Sequence, residues 1–390
     1  MNASAQAPEL RRAARTAFLI GGVGLLGCLL GAFVDTTQFL RSYLWAYWFW
    51  LGAAIGCGQV LMLYHLVGGA WGFVIQRICE AAVRTMPVMF VLAIPLCLGI
   101  PRLYTYTNPA LLAADQALRH KSAYLNMPFV LVRLVIYFAI WWLFSYLLTH
   151  WSDKQDETGD LKYLSWRQRI SPPGIILYSF AVSFAAVDWI MALEADWYST
   201  MFPGFYLIGQ VLTAFGIAIV ALRYVSKRGP LADLISPKDY HDLGNLLWAF
   251  VIFWAYVEVS QLIITWSGNL PKEIIWYLHR TNGGWAWITI VIAGFHFGIP
   301  FLLLLARKNK MQARRLTFIA AFVVVMHLVD NYWNVEPAFH PDRVFVSWLD
   351  FACPIGVGGV WVGLWLRQMA RRPLVPLRDP RIVEALEKLV

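Results

Sequence analysis

The hydrophobic positions of this chain fall into long uninterrupted runs, unlike the alternating or one-sided patterns of soluble domains. Ten apolar stretches of about 20 residues, the length that an α-helix needs to cross a bilayer, follow one another. We therefore predict an all-α integral membrane protein with about ten transmembrane helices. These spans lie at Ala14–Val34, Tyr43–Val67, Ala81–Ile100, Met127–His150, Gly174–Leu193, Phe205–Tyr224, Leu243–Trp266, Trp285–Ala306, Leu316–Asn331 and Val344–Arg367.

The charged residues are few and unevenly placed. They make up 14% of the chain, against about 25% in soluble domains. With ten spans both termini lie on one side, and that side carries 24 of the 32 lysines and arginines, with 7 opposite and Arg133 inside span 4. The positive-inside rule then places both termini in the cytoplasm. The formal charge of +9 is explained by these loops, so we expect a lipid bilayer and no nucleic acid as partner.

This topology divides the chain into a cytoplasmic N-terminal segment (1–13), a transmembrane domain (14–367) and a cytoplasmic C-terminal tail (368–390). The first apolar run lacks a small-residue cleavage site, so we expect it to stay as span 1. Pro87 and Pro95 should kink span 3.

Glycines and tryptophans give further predictions about how the helices pack and where they meet the membrane surface. Three Gly-x-x-x-Gly pairs, starting at Gly27, Gly52 and Gly359, are typical of closely packed membrane helices. Tryptophans near helix ends are typical of belts at the membrane interface; they are Trp45, Trp48, Trp151, Trp197, Trp266 and Trp285.

The cysteines argue against bound iron–sulfur clusters and c-type haem. The five cysteines form no C-x-x-C and no C-x-x-C-H motif. We also expect no disulfide, because these cysteines fall mostly in apolar stretches.

Ionisable residues inside the spans are the candidates for function. A charged group deep in a membrane costs roughly 2.5–3.5 kcal/mol on insertion scales, so such residues usually face a hydrated, protein-lined interior. At about 1.5 Å per helical residue, six of them fall in the outer third of the membrane. This outer set consists of Asp188, Glu258, His327, Asp330, Asp350 and Arg133.

Carboxylates, a histidine and an arginine at one depth are the groups that a proton path requires. We interpret the outer set as an outward-facing proton half-channel centred on Glu258, which lies in the apolar helix 251–266 with Gln261 three residues further on. The alternative is structural: Arg133 forms an ion pair with Asp188 or Glu258, and the other carboxylates have ordinary polar partners.

A second set near the inner face is a candidate inner half of the path. Tyr64 and His65 end span 2, and Arg77, Glu80 and Arg84 follow at helical spacing, so that Glu80 can pair with either arginine. The alternative is an interfacial ion-pair cluster that anchors span 3 or docks a partner.

The histidines decide whether a b-type haem can be bound. Such a haem requires two axial histidines at matching depth on neighbouring helices. Only His296 and His327 lie deep enough, so a mono-haem cytochrome is an alternative, and the sequence otherwise predicts no cofactor and no metal.

Several segments resemble the F subunit (ActF) of bacterial alternative complex III, a quinol:electron-acceptor oxidoreductase. They are Phe49-Trp-Leu-Gly, Tyr64-His65-Leu-Val-Gly-Gly-Ala-Trp71, Phe253-Trp-Ala-Tyr-Val-Glu258 with its continuation to Pro271, His296-Phe-Gly-Ile-Pro and Val329-Asp-Asn-Tyr-Trp333. The resemblance spans nearly the whole chain. At Asn331 this sequence departs from the family, where an apolar residue is expected.

The resemblance carries expectations of its own. The F subunit is related to the NrfD-like, polysulfide-reductase-type membrane subunits, which are built on four-helix bundles, and it is cofactor-free. It implies a respiratory-chain protein of the bacterial inner membrane, with a role in proton translocation. It also implies a larger quinol-binding membrane subunit, an iron–sulfur subunit and c-type haem subunits as partners. A free-standing proton-coupled transporter stays open as an alternative; it predicts matched interruptions in corresponding helices, and the sequence shows none.

Overall fold

The residues that the structure describes form about ten helices long and apolar enough to cross a membrane, as the hydropathy pattern predicts. The computed structural model describes residues 7–194, 197–226, 235–376 and 378–381, and within these ranges it contains helices and no strand. Nine single helices there are long and apolar enough to cross a membrane, and a bent pair supplies the tenth span. The all-α, multi-pass membrane fold is therefore confirmed.

We number the spans α1 to α10 in the order of the predicted ones. Their bounds are α1 Ala7–Val34, α2 Thr36–Val67, α3 Ala70–Val83 continued by Met86–Leu92 and Ile94–Leu103, α4 Met127–Thr158, α5 Lys162–Trp189, α6 Phe202–Val225, α7 Pro237–Gly268, α8 Trp285–Leu305, α9 Ala313–Val335 and α10 Leu349–Met369. Helix α1 begins at Ala7, so it includes half of the segment predicted to precede it.

The helices pack as two four-helix bundles with a peripheral pair. Helices α2 to α5 contact one another, and so do α6 to α9. The bundles meet where α2 packs on α6, while α1 and α10 pair with each other beside α2. Helix α2 is apolar around its whole circumference and is the most central element, because it contacts both bundles and the peripheral pair.

Glycines set the closest helix contacts. A Cβ atom at Gly24 would lie 2.4 Å from the backbone nitrogen of Gly356, and one at Gly359 would lie 2.4 Å from Cα of Gly21. A Cβ atom at Gly56 would lie 2.0 Å from the carbonyl oxygen of Gln210 on α6. These glycine stripes let the backbones approach directly, which is the packing role that their spacing predicts.

Helix α3 is broken where the sequence predicts it. Pro87 and Pro95 each start a new helical segment, and the last two segments meet at an angle of 49°. A second irregularity, absent from the prediction, is a π-helical turn at Ile292–Gly298 inside α8. The two interruptions occupy the second helix of one bundle and the third of the other, so they are not the matched pair that the transporter alternative requires.

The tryptophans correct one prediction. Trp266 is exposed, as a belt residue should be, but Trp45, Trp48, Trp197 and Trp285 are buried. They pack between the ends of neighbouring helices inside the bundles. The position of a tryptophan along a helix does not show whether its side chain faces lipid or another helix.

The topology gives a prediction that thiol labelling can check. In a variant without native cysteines, single cysteines replacing Asp160 or Asn309 should react with an impermeant reagent only from the cytoplasm. Cysteines replacing Pro271 or Asp342 should react only from outside, because their loops lie at the opposite ends of the spans. Labelling of the first two positions in intact cells would contradict the orientation, and labelling of all four from one side would contradict the number of spans.

Candidate functional site

Four ionisable residues of the second bundle surround its interior. Glu258 comes from α7, His296 from the π-helical turn of α8, and His327 and Asp330 from α9. The two imidazole rings lie 5.4 Å apart between centroids, and Nδ1 of His327 lies 3.3 Å from Oδ2 of Asp330. One donor atom from each of His296, His327 and Asp330 lies within 4.8 Å of the others. We call these three residues the histidine–aspartate cluster.

Local sequence explains how the cluster forms. Pro300 has no N–H to donate to the carbonyl of residue 296, which fits the widened turn at His296. On the facing helix α6, Gly209 leaves room for the His327 ring, because a Cβ atom there would lie 2.5 Å from its Cε1 atom. Trp254 packs on His296 with ring centroids 4.2 Å apart.

The cluster is buried but incompletely hydrogen-bonded. Both ring nitrogens of His296, Nδ1 of His327 and Oδ2 of Asp330 lack a well-aligned hydrogen-bond partner within the described residues, and so does the hydroxyl of Tyr206. Most buried polar atoms in proteins have a partner. Buried groups that can each accept or release a proton, close together and without a full set of well-aligned hydrogen bonds, are suited to proton transfer.

Glu258 lies beside the cluster, at its outer side. Its side chain is partly buried and makes no hydrogen bond or ion pair to any residue that the structure describes. It lines a small cavity together with Gln261, Trp276 and Asn334, among others. About 10 Å³ of this cavity is open to the centre of a water molecule, which is room for about one water.

Asn334 connects the cavity to the cluster. Its amide nitrogen donates to the carbonyl oxygen of Asp330 at 2.9 Å, while its side chain also borders the cavity at Glu258. The electrostatic interaction between Glu258 and Asp330 links the same two positions. Glu258 and the histidine–aspartate cluster are thus linked through Asn334, which borders the cavity of Glu258 and donates to Asp330.

Arg280, Glu194 and His279 close the outer end of this group, and the sequence analysis did not single them out. Arg280 donates to Glu194 at 2.9 Å and to the carbonyl oxygen of Asn334 at 2.7 Å. His279 lies 3.0 Å from the other oxygen of Glu194. All three lie outside the apolar spans, and the available signal was the short helix Pro271–Thr281, where Trp276 and Arg280 share one face.

Arg133 and Asp188 form a separate group in the first bundle. Two nitrogens of Arg133 donate to the two oxygens of Asp188, each at 2.8 Å, and the hydroxyl of Tyr137 donates to Asp188 at 2.8 Å. The guanidinium also stacks 3.8 Å from the ring centroid of Tyr124. Every polar atom of Asp188 is therefore engaged, which favours the structural alternative for this pair.

Asp350 belongs to a third group, between α10 and α2. It accepts a hydrogen bond from the Ser42 hydroxyl at 2.6 Å and one from the backbone of Ser347 at 2.7 Å. It borders an apolar groove of about 600 Å³ between the peripheral pair and α2 and α9. Glu336, buried and with no hydrogen-bond partner among the described residues, interacts electrostatically with it.

The outer set thus divides over three places in the fold. Only Glu258, His327 and Asp330 meet in one interior, and His296 joins them. The sequence predicts how far along its helix each residue lies, but it does not give the direction in which the side chain points around that helix. The half-channel stays a prediction, and among the described residues it is the second bundle that brings several members of the outer set together.

The inner set lies in a dense ion-pair network at the opposite end. Arg77 donates to Glu80 at 2.6 Å and also pairs with Asp156. Ser152 donates to Glu80 at 2.6 Å. Arg84 instead pairs with Asp153 at 2.8 Å. Of the two arginines predicted as possible partners of Glu80, Arg77 is therefore the one that pairs with it.

Tyr64 and His65 lie at the edge of this network, where the C-terminal tail covers them. The guanidinium of Arg381 stacks 4.6 Å from the ring centroid of Tyr64. Neither the Tyr64 hydroxyl nor Nδ1 of His65 has a hydrogen-bond partner among the described residues. The tail is also held by Arg372, which donates to Asp153 at 3.0 Å.

Asp379 fixes the tail from inside the network. It is buried, pairs with Arg381 and lies 3.9 Å from the buried Arg167. Burial by itself raises the pKa of Asp379, but the hydrogen bonds and charge of Arg381, with the charge of Arg167, hold that pKa below its ordinary value. The tail is therefore anchored by an ionised carboxylate at neutral pH. The ion pairs of this network fit the anchoring alternative as well as they fit an inner half of the proton path.

The geometry of the cluster disfavours a haem. The rings of His296 and His327 pack directly against each other at 5.4 Å, which leaves no space for a porphyrin between them. The same residues with Asp330 offer three possible ligands for a metal ion. Their ligand atoms lie within 4.8 Å of one another, so the group has the composition of a metal site, and we assign no metal to it.

Comparison with known proteins leaves the family open. No protein-family model matches the chain, and no curated protein matches it.

Proposed function

We propose that this chain is a cofactor-free membrane subunit of a quinol:electron-acceptor oxidoreductase of the alternative complex III type, in which the second bundle conducts protons to the outer side. The observation that carries the proposal is the meeting of Glu258 with the histidine–aspartate cluster inside α6 to α9. Three of the segments that resemble the F subunit, on α7, α8 and α9, contribute Glu258, His296 and Asp330 to this interior.

The proposed path begins at the histidine–aspartate cluster and leads outward. A proton moves between Asp330 and His327, whose facing atoms lie 3.3 Å apart, and His296 extends the chain of exchangeable atoms. From there it reaches Glu258 and the water-sized cavity beside Asn334. A charge that is not paired is costly in a low-dielectric interior, so a proton that enters this group is expected to pass on from one member to the next.

The remaining parts of the proposal follow from the resemblance and the loop charges. We place the protein in the bacterial inner membrane with both termini in the cytoplasm. Its partners in this proposal are a larger quinol-binding membrane subunit, an iron–sulfur subunit and c-type haem subunits. The apolar outer surfaces of α1, α4 and α7, which carry many exposed large side chains, provide area for lipid and for such a membrane partner.

Glu258→Gln tests the proposal, because glutamine keeps the shape of the side chain and removes its exchangeable proton. In sealed vesicles containing the assembled complex, quinol oxidation should continue under uncoupled conditions. The number of protons translocated per electron should fall to the value that quinol oxidation alone provides. A pH electrode or an entrapped pH dye, read together with acceptor reduction, measures both quantities in one sample.

The control is Glu273→Gln, a carboxylate on the neighbouring short helix that does not belong to the cluster. It should leave the stoichiometry unchanged. An assembled Glu258→Gln complex that translocates as many protons per electron as the native one would refute the role of Glu258. Loss of assembly in Glu258→Gln, with the control intact, would instead assign this residue a structural role.

A further inference from the structure

A buried arginine stands between the proposed path and the outer surface. Arg280 is only 1% exposed, although it lies on the short helix Pro271–Thr281 outside the spans. Its guanidinium donates to Glu194 at 2.9 Å and to the backbone oxygens of Trp276 and Asn334 at 2.8 and 2.7 Å. It also stacks 3.7 Å from the ring centroid of Trp276.

Arg280 and Glu258 share two neighbours. Trp276 and Asn334, which both contact the guanidinium, line the same small cavity as Glu258. Arg280 and Glu258 also interact electrostatically across this region. The guanidinium therefore has two acidic residues within its field: Glu194, with which it is paired, and Glu258, which has no hydrogen bond or ion pair within the described residues.

Glu194 has a second basic partner of its own. His279, partly exposed, lies 3.0 Å from the oxygen of Glu194 that Arg280 does not contact. Burial by itself raises the pKa of Glu194, but His279 and Arg280 together lower it below the ordinary value. His279 can thus remain a partner of the Glu194 carboxylate when Arg280 is turned away.

We propose that Arg280 is a counter-ion shared by Glu194 and Glu258, and that its shift from Glu194 to Glu258 drives the proton of Glu258 out of the membrane. This inference rests on the proposed proton path and names the element that gives it direction. The carboxyl group of Glu258 releases its proton to water in the cavity, and the guanidinium keeps all of its own protons. The carboxylate formed pairs with Arg280, and the return of Arg280 to Glu194 lets Glu258 take up the next proton from the cluster.

The charges around these groups are consistent with two positions for the guanidinium. A negative charge on Asp330 opposes a second negative charge on Glu258 when Arg280 is at Glu194. With Arg280 at Glu258 the added positive charge favours the ionised form. A planar guanidinium held by two backbone oxygens can turn between two carboxylates without losing all its hydrogen bonds.

Dicyclohexylcarbodiimide tests this inference, because it modifies carboxyl groups that are protonated and in apolar surroundings. The measurement is the rate of Glu258 modification in the intact complex, followed by mass spectrometry of its peptide. Glu194→Gln removes the competing carboxylate, so Arg280 should pair with Glu258 and the rate should fall. Arg280→Gln removes the counter-ion, so the rate should rise; in each direction we expect up to about tenfold, the effect of one pKa unit.

His279→Gln is a milder variant at a partly exposed position, chosen because it should assemble even where the others do not. It deprives Glu194 of its second partner, holds Arg280 there more firmly and should raise the rate of Glu258 modification. Glu273→Gln, on the same short helix, should leave the rate unchanged. Changes in the same direction for Glu194→Gln and Arg280→Gln, or an unchanged rate in His279→Gln, would overturn the inference.

The two proposals fail in different ways. Unchanged proton stoichiometry in an assembled Glu258→Gln complex would remove the path, whatever the modification rates are. Loss of translocation in Glu258→Gln, without opposite effects of Glu194→Gln and Arg280→Gln, would leave the path and remove only the role of Arg280.

Discussion

Asp188→Asn is expected to destabilise the protein by about 3–5 kcal/mol, because it leaves the Arg133 guanidinium without its counter-charge inside the first bundle. Asp188 is fully buried, at 0% exposure, and accepts three hydrogen bonds, two from Arg133 and one from Tyr137. Asparagine keeps the size of the side chain but offers one neutral acceptor oxygen. The fraction of detergent-solubilised protein that survives stepwise heating, measured by size-exclusion chromatography, should drop at a distinctly lower temperature.

The double variant Arg133→Met with Asp188→Leu separates a structural pair from a proton carrier. Replacement of both members of a buried ion pair by apolar residues is often neutral or stabilising, so the double variant should recover much of the lost heat stability. It should also translocate protons normally, since the proposed path runs through the second bundle. A stable double variant that does not translocate protons would show that Asp188 is part of the proton path. Equal heat stability of Asp188→Asn and the native protein would show that the ion pair contributes little to stability.

The ten spans were predictable because a bilayer imposes one simple rule on sequence. Each span needs about 20 apolar residues, and the hydropathy runs meet that requirement directly. The break in α3 was also predictable, since Pro87 and Pro95 cannot donate a backbone hydrogen bond within a helix. The π-helical turn at His296 was not, although Pro300 four residues later is a possible signal for it.

The grouping of the site residues was less predictable, for a geometric reason. Sequence gives the depth of a residue in the membrane, but helices packed on all sides have no clear apolar face to show which way a side chain points. Arg133 and Asp350 are predicted at the same depth as Glu258, and yet they lie in other parts of the fold. His296 was considered only as a haem ligand, although its position opposite His327 makes it a member of the cluster.

The partners of the site residues that lie outside the spans have no signal in the hydropathy pattern, because that pattern marks only apolar stretches. Arg280 and Glu194 lie in connections between the spans, and the packing of the helices leaves their side chains 1% and 8% exposed. Likewise the pairing of Arg84 with Asp153 joins α3 to the C-terminal end of α4. Ion pairs between residues far apart in sequence require the packing of the helices, which hydropathy does not determine.

Gly24→Val is expected to separate α1 from α10. A Cβ atom at Gly24 would lie 2.4 and 2.6 Å from backbone atoms of Gly356, which cannot move aside as a flexible side chain can. Overpacking of this kind costs at least about 1–3 kcal/mol. The sulfur atoms of Cys28 and Cys353, 3.6 Å apart across the same contact, provide the readout, because a membrane-permeable oxidant should cross-link them in the native protein and much less in Gly24→Val.

Gly22→Val is the matched control, since a Cβ atom at Gly22 meets nothing within 4 Å. Both substitutions place the same β-branched side chain in the middle of α1, so their intrinsic cost to the helix is equal. Gly22→Val should therefore cross-link and resist heat like the native protein, while Gly24→Val does neither. Equal cross-linking of the two variants would show that α1 and α10 do not depend on the glycine contact. The peripheral pair would then be held to α2 by other means, such as the hydrogen bond from the Trp50 indole to the carbonyl oxygen of Pro354.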